Sequence, residues 1–248
     1  METLKKKEIG QFVAEDFRTA AVFSEYGIDF CCRGNRPLDE VCEKNNIALE
    51  DILEKLEISS TQVQNNTQAF NTWPLDLLAT YIEKTHHKYV ESKIPVLLQF
   101  LTKLCKVHGE SHPELIEINR LFEAVAGELA QHMKKEELVL FPRIKKMVES
   151  IDKNKPLEPA HFGTVQNPIS MMEHEHDNAG QIFRDISKLS DGYTPPKDAC
   201  NTYKVAFSML DEFEKDLHLH IHLENNILFP KALKMEQKLM SSNQSCAL

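Results

Sequence analysis

HMKKEELVLFP at residues 132–142 returns as HIHLENNILFP at residues 220–230, so the pattern H-x-x-x-E-x-x-x-x-F-P occurs twice. Residues four apart on an α-helix lie about 40° apart around the axis and about 6 Å apart along it, which puts His132 and Glu136 on one face and His220 and Glu224 on another. One such pair is ordinarily a surface ion pair. Two copies with the same Phe-Pro ending point to a repeated structural unit. The repeat extends backwards, because His87 precedes His132 by 45 positions and His176 precedes His220 by 44. Each half then reads as a helical hairpin, with one histidine on its first helix and a His/Glu pair on its second.

Helical spacing of apolar residues, with prolines and turn clusters between, predicts four long helices over Pro74–Cys105, Pro113–Ser150, Ile169–Leu189 and Pro195–Lys238. Four such helices suit an up-down bundle. If the ligand-bearing faces turn inwards, His87, His132, Glu136, His176, His220 and Glu224 converge. Six buried ionisable groups without a counter-charge would be unfavourable by several kcal/mol each, and metal is the natural compensating partner. Two ions are expected rather than one, since each carboxylate can span both through its two oxygens. Mixed His/carboxylate ligation suits iron or manganese better than zinc.

The other histidines fit less well. His86 points about 100° away from His87, so the two cannot face the core equally. His174, His218 and His222 sit two residues from a favoured ligand, which turns them towards the sides or the outer face of their helices, solvated or in a supporting shell. Leu138, Leu140, Phe141, Ile227, Leu228 and Phe229 are expected in the bundle core, and Glu173 and Asp177 read as solvated or as orienting an imidazole, neither as a metal ligand. Tyr81 and Tyr89 read as core aromatics.

Ahead of the bundle, residues 1–58 read as a small helical domain with helices Ile9–Tyr26, Leu38–Asn45 and Leu49–Leu56. Residues 59–73 are rich in Ser, Thr, Gln and Asn and form a linker, residues 74–240 the bundle, and residues 241–248 a disordered tail. The chain is all-α on this reading, in keeping with only 8 glycines in 248 residues. In the small domain, Asp29-Phe30-Cys31-Cys32-Arg33-Gly34-Asn35-Arg36 sets two adjacent thiols beside two guanidinium groups, which are expected to favour thiolates. Reversible redox or soft-metal contact is the reading for Cys31 and Cys32. Cys42, Cys105 and Cys200 read as packing residues, and Cys246 lies in the polar tail.

A net charge of -9 with no Lys/Arg stripe argues against nucleic acid as a partner. No apolar run approaches a membrane span, and the N-terminal residues lack the apolar segment of an export signal, so a cytoplasmic location with reduced cysteines is expected.

The segment DFCCRGNRPL, together with the paired H-x-x-x-E and LFP motifs, resembles the bacterial iron-sulfur cluster repair di-iron proteins. The resemblance spans nearly the whole chain. It implies a hemerythrin-like four-helix bundle behind a small cysteine-containing domain, with two iron ions in a non-haem di-iron centre. The implied ligands are His87, His132, His176 and His220, with Glu136 and Glu224 bridging; His86 is the alternative to His87 if the helix register differs. The implied cysteine pair is Cys31 and Cys32. The His-containing stretch around Glu158 to Gln166 departs from the family pattern. The resemblance further implies repair of clusters in proteins damaged by nitrosative or oxidative stress, by donation of iron, and a homodimer. The alternatives are a nitric oxide or dioxygen binding protein or sensor, a nitric oxide reductase, and a helical bundle without metal.

Overall fold

The computed structural model describes residues 2–61 and 69–245. The small domain comprises α1 (Glu2–Lys5), α2 (Ile9–Glu15), α3 (Thr19–Glu25), α4 (Leu38–Asn45) and α5 (Leu49–Thr61). The single helix expected over Ile9–Tyr26 is broken at Asp16, whose backbone is extended. Its carboxylate accepts from the Arg18 backbone N–H at 3.1 Å, and its carbonyl accepts from Thr19 Oγ1 at 2.7 Å. This local turn satisfies the backbone better than continued helix would. With no glycine or proline to stop it, α5 runs past the expected boundary at residue 58.

Four long rods follow, three of them interrupted. The first is α6 (Leu75–Ile82), a π turn (Glu83–His87) and α7 (Lys88–His108); the second is α8 (Glu114–Lys135), a π turn (Glu136–Leu140) and α9 (Phe141–Asp152). The third is α10 (Gln166–Leu189), and the fourth is α11 (Asn201–Leu223), a π turn (Glu224–Leu228) and α12 (Phe229–Ser245). Contacts of α7 with α8, α8 with α10, α10 with α11 and α11 with α7 close the rods into a four-helix bundle. Among the described residues there is no strand, only isolated bridges. Because α12 continues to Ser245, the tail expected from residue 241 begins inside a helix; Cys246 and residues 62–68 of the expected linker lie outside the described residues. At the linker's end Phe70 is buried against Trp73 and Tyr81, which makes that part of the segment core.

The Phe-Pro ending of each repeat accounts for two of the π turns. The Phe141 N–H bonds to the Glu136 carbonyl, and the Phe229 N–H to the Glu224 carbonyl. The next residue, Pro142 or Pro230, has no N–H and would crowd the carbonyl four residues back, so the chain widens for one turn and restarts as α-helix. The bundle interior falls into two apolar clusters. One joins the small domain (Ile9, Phe23, Phe30, Leu38) to the α7/α8/α10/α11 half of the bundle (Leu101, Phe122, Phe183, Phe213). The other gathers Leu78, Phe141, Ile169 and Phe229 at the opposite end. Burial of these side chains supplies the drive to fold, about 25 cal/mol per Å² of apolar surface. A layer of histidines and glutamates separates the two clusters.

Candidate metal centre

All six residues singled out by the repeat are buried, none more than 2% exposed. Their donor atoms fall into two groups that share both carboxylates: His87, Glu136, His220 and Glu224, and His132, Glu136, His176 and Glu224. Glu136 Oε2 lies 3.3 Å from both His87 Nε2 and His132 Nε2. Glu224 Oε2 is 3.2 Å from His176 Nε2, and Glu224 Oε1 is 3.1 Å from His220 Nε2. His132 Nε2 and His176 Nε2 face each other at 3.1 Å. His87 Nε2, both Glu136 oxygens and Glu224 Oε2 are buried without a hydrogen-bond partner. Orphaned acceptors and imidazole nitrogens aimed at one another are the arrangement that a cation repairs, so the residues fit a metal site.

The charges agree with that fit. Burial alone would favour neutral carboxylic acids, but the surrounding imidazoles hold Glu136 below the ordinary carboxylate range and Glu224 well below it. Burial opposes protonation of His87 and His132, yet the two glutamates outweigh it and raise both, His132 to about 10. For His220 burial prevails and lowers the imidazole. The two carboxylates thus favour the protonated form of the His87 and His132 imidazoles.

Three of the four imidazoles are oriented by their other nitrogen. His87 Nδ1 bonds Glu137 Oε1 at 3.0 Å, His132 Nδ1 bonds Glu175 Oε2 at 2.9 Å, and His176 Nδ1 bonds Asn225 Oδ1 at 2.8 Å. His220 Nδ1 is buried without a partner. Glu175 also pairs with Lys135. His132 and then Lys135 draw its pKa down to about 2 against the burial that raises it. Fixing an imidazole from behind in this way raises its basicity as a ligand. Sequence reasoning missed Glu137, Glu175 and Asn225. The signal available was adjacency, since Glu137 and Asn225 each directly follow a glutamate of the buried layer.

His86 and His87 are both buried, and they separate as the helix geometry requires. His87 enters the cluster, whereas His86 Nδ1 meets Asp216 Oδ1 at 3.0 Å and its ring stacks on His220 at 5.6 Å. His222 is buried rather than turned outward, and burial lowers it to about 3. Leu138, expected in the core, is 73% exposed, because two residues beyond Glu136 is about 200° around the helix.

The small domain docks beside this centre. Cys32 Sγ approaches the His176 carbonyl at 3.4 Å, and Asn225 Nδ2 donates to the Cys31 carbonyl at 3.4 Å. Asn226 Nδ2 donates to the Phe30 carbonyl at 3.1 Å. Its carboxamide occupies space that a side chain on Gly10 or Gly34 would fill, at 2.3 and 2.8 Å from an added Cβ. The expectation that Arg33 and Arg36 favour thiolates is not met at Cys31. Its thiol is pushed well up by Cys32, by burial and by Asp29, while Arg36 is turned to the carbonyls of Arg33 and Asp29. Among the described residues no helix is long and apolar enough to cross a membrane.

Comparison with known proteins gives the same two parts. Residues 5–59 match the ScdA_N family, described as a domain of unknown function, and residues 78–232 match the hemerythrin HHE cation binding domain. The chain is 34% identical to the iron-sulfur cluster repair protein YtfE of Musicola paradisiaca, over 94% of this chain and 98% of that protein. It is 33% identical to the protein of the same name from Pectobacterium atrosepticum, over 94% and 99%. It is also 34% identical to a probable iron-sulfur cluster repair protein of Haemophilus influenzae, over 86% and 90%.

Proposed function

The chain belongs to the iron-sulfur cluster repair proteins that join an ScdA_N domain to a hemerythrin HHE domain, and from that premise we propose that it carries two iron ions and gives iron to damaged iron-sulfur proteins. The observation that carries the reading is the pair of buried carboxylates, Glu136 and Glu224, each shared between two histidine pairs. His87 and His220 would hold one ion and His132 and His176 the other. When bound, iron in this site supplies exchangeable ferrous cargo and a place for nitric oxide or dioxygen to bind.

The residues suit release as well as retention. Carboxylate and imidazole donors hold ferrous iron less firmly than a thiolate cage would. As cargo leaves, the two carboxylates favour protonation of His87 and His132 at their ring nitrogens. Glu137 and Glu175 accept from the opposite edges of those rings, so the imidazoles hold their orientation while empty. Cys31 and Cys32, docked on the His176 turn, are the proposed hand-over residues. The same reading places the protein in the cytoplasm, where its cysteines at 31, 32, 42, 105 and 200 stay free as they are here, and as a homodimer, for which the exposed Val107 and Ile116 offer apolar contact surface.

Repair of a nitrosylated cluster in a purified client, measured as recovered client activity with no other iron source, tests the reading. Recovery is expected with the iron-loaded chain and not with the Cys31→Ser/Cys32→Ser variant, which should retain its bundle iron. Undiminished repair by that variant contradicts the hand-over. Nitrous oxide formed over many turnovers without client recovery contradicts donation.

A further inference from the structure

Among the described residues, two clusters of ligand-type side chains lie in the bundle and a third lies in the small domain. The turn Asp29–Arg33 gathers Asp29, Cys31 and Cys32 so that one carboxylate oxygen and both sulfurs fall within 4.8 Å of one another. The sulfurs are 3.8 Å apart, and Cys31 Sγ is 3.4 Å from Asp29 Oδ1. The arrangement is fixed by the backbone, because Asp29 Oδ1 also accepts the N–H groups of Cys31 at 3.1 Å and Cys32 at 3.0 Å. From the bundle, Arg184 Nη1 holds Asp29 Oδ2 at 3.1 Å.

We propose that Asp29, Cys31 and Cys32 form a further cation site, distinct from the His/Glu layer, that takes a single thiophilic divalent ion such as ferrous iron. Three observations support it. The donor set is mixed, with two sulfurs and one carboxylate oxygen, which suits a borderline-soft divalent ion and excludes magnesium or calcium. The site is open on one side, since Cys31 is buried while Cys32 is only partly so, and three protein donors leave room for a ligand from a client. Finally, the bundle makes space for it: an added Cβ on Gly180 of α10, one turn beyond His176, would stand 3.1 Å from Cys32 Sγ.

Binding displaces the two thiol protons to solvent and leaves two thiolates and a carboxylate around the ion; no electron is transferred. Asn225 spans the two kinds of site, accepting from the His176 ring and donating to the Cys31 carbonyl. A part for this site in moving cargo outward rests on the donation reading; cation binding itself does not.

The test is a cobalt(II) titration of the full chain, loaded anaerobically with ferrous iron and with no client present. A sulfur-to-cobalt charge-transfer absorption should appear and saturate at one cobalt per chain. It should vanish in Cys31→Ser/Cys32→Ser and persist in Cys200→Ser. In Asp29→Asn, which keeps an acceptor oxygen for the turn, binding should weaken by about tenfold or more. Circular dichroism and bundle iron content check that each variant is folded. Absence of the band, its survival in the double serine variant, or undiminished binding by Asp29→Asn overturns the assignment. Client repair is scored separately, so cobalt binding without repair contradicts donation and leaves the site standing.

Discussion

The two copies of H-x-x-x-E-x-x-x-x-F-P do the same thing at four positions and different things at the two residues after the glutamate. In both, the histidine and glutamate enter the buried layer, and the Phe-Pro pair turns the helix through a π turn. After Glu136 come Glu137, which backs His87, and Leu138, which faces solvent. After Glu224 come Asn225, which backs His176 and reaches the Cys31 carbonyl, and Asn226, which fits between Gly10 and Gly34. The first copy serves the buried layer alone. The second is also the socket for the cysteine domain. The comparison teaches that the buried His/Glu layer fixes the inward face of the helix, and that one step around the axis the same motif is free to take a second task.

Removing the socket should have the largest effect. Gly34→Ala would set a methyl 2.4 Å from the Phe30 carbonyl and 3.0 Å from Gly10 Cα. Both neighbours are backbone, so relief requires the docked turn to move, and a loss of about 1–3 kcal/mol in thermal or denaturant unfolding is expected. Asn226→Leu, which gives the second copy the residue of the first, leaves the Phe30 carbonyl without its donor, at about 1–3 kcal/mol. In both variants limited proteolysis should release the small domain while bundle iron stays unchanged; iron lost in step with docking would show that the halves are not separable.

The imidazole backing should separate the halves next. Glu137→Ala or Glu175→Ala is expected to lower iron affinity by about 10–100-fold. Asn225→Ala should lower it less, since an amide gives His176 no charge-assisted bond. Competition with a coloured chelator measures both, and equal losses would erase the distinction.

A smaller effect follows from pH. His87 and His132 lie above the ordinary imidazole value in the cation-free layer, so a cation must displace protons from them. Protons compete harder as pH falls, and affinity should therefore fall with falling pH, with protons released on binding near neutral pH. Calorimetry in buffers of different ionisation enthalpy measures the release; a binding heat independent of buffer would contradict it. Smallest of all, Leu138→Asn should change stability by less than about 0.5 kcal/mol, because the side chain touches little.

The helical class and the six inward residues were legible in the sequence because a period of 3.6 and a repeated motif both depend on spacing along one chain. What was not legible depends on neighbours from elsewhere. Glu175 lies one position before His176 of its own helix, yet it serves His132 on another. Asp16 breaks a helix that periodicity favours, through bonds of its own side chain and carbonyl. Arg33 and Arg36 stand beside the cysteines in sequence, but it is Arg184 of the bundle that holds Asp29. His222 carries no pattern that announces burial; it is covered by Phe17 and Phe30 of the docked domain.

The central claim is a pair of ions bridged by Glu136 and Glu224. It is tested most directly by iron content and Mössbauer spectra of anaerobically purified protein, beside the Glu136→Ala/Glu224→Ala variant. The account predicts two coupled irons per chain, lost in the variant while the helices remain. One isolated iron in the native chain, or two that survive loss of both glutamates, would contradict it.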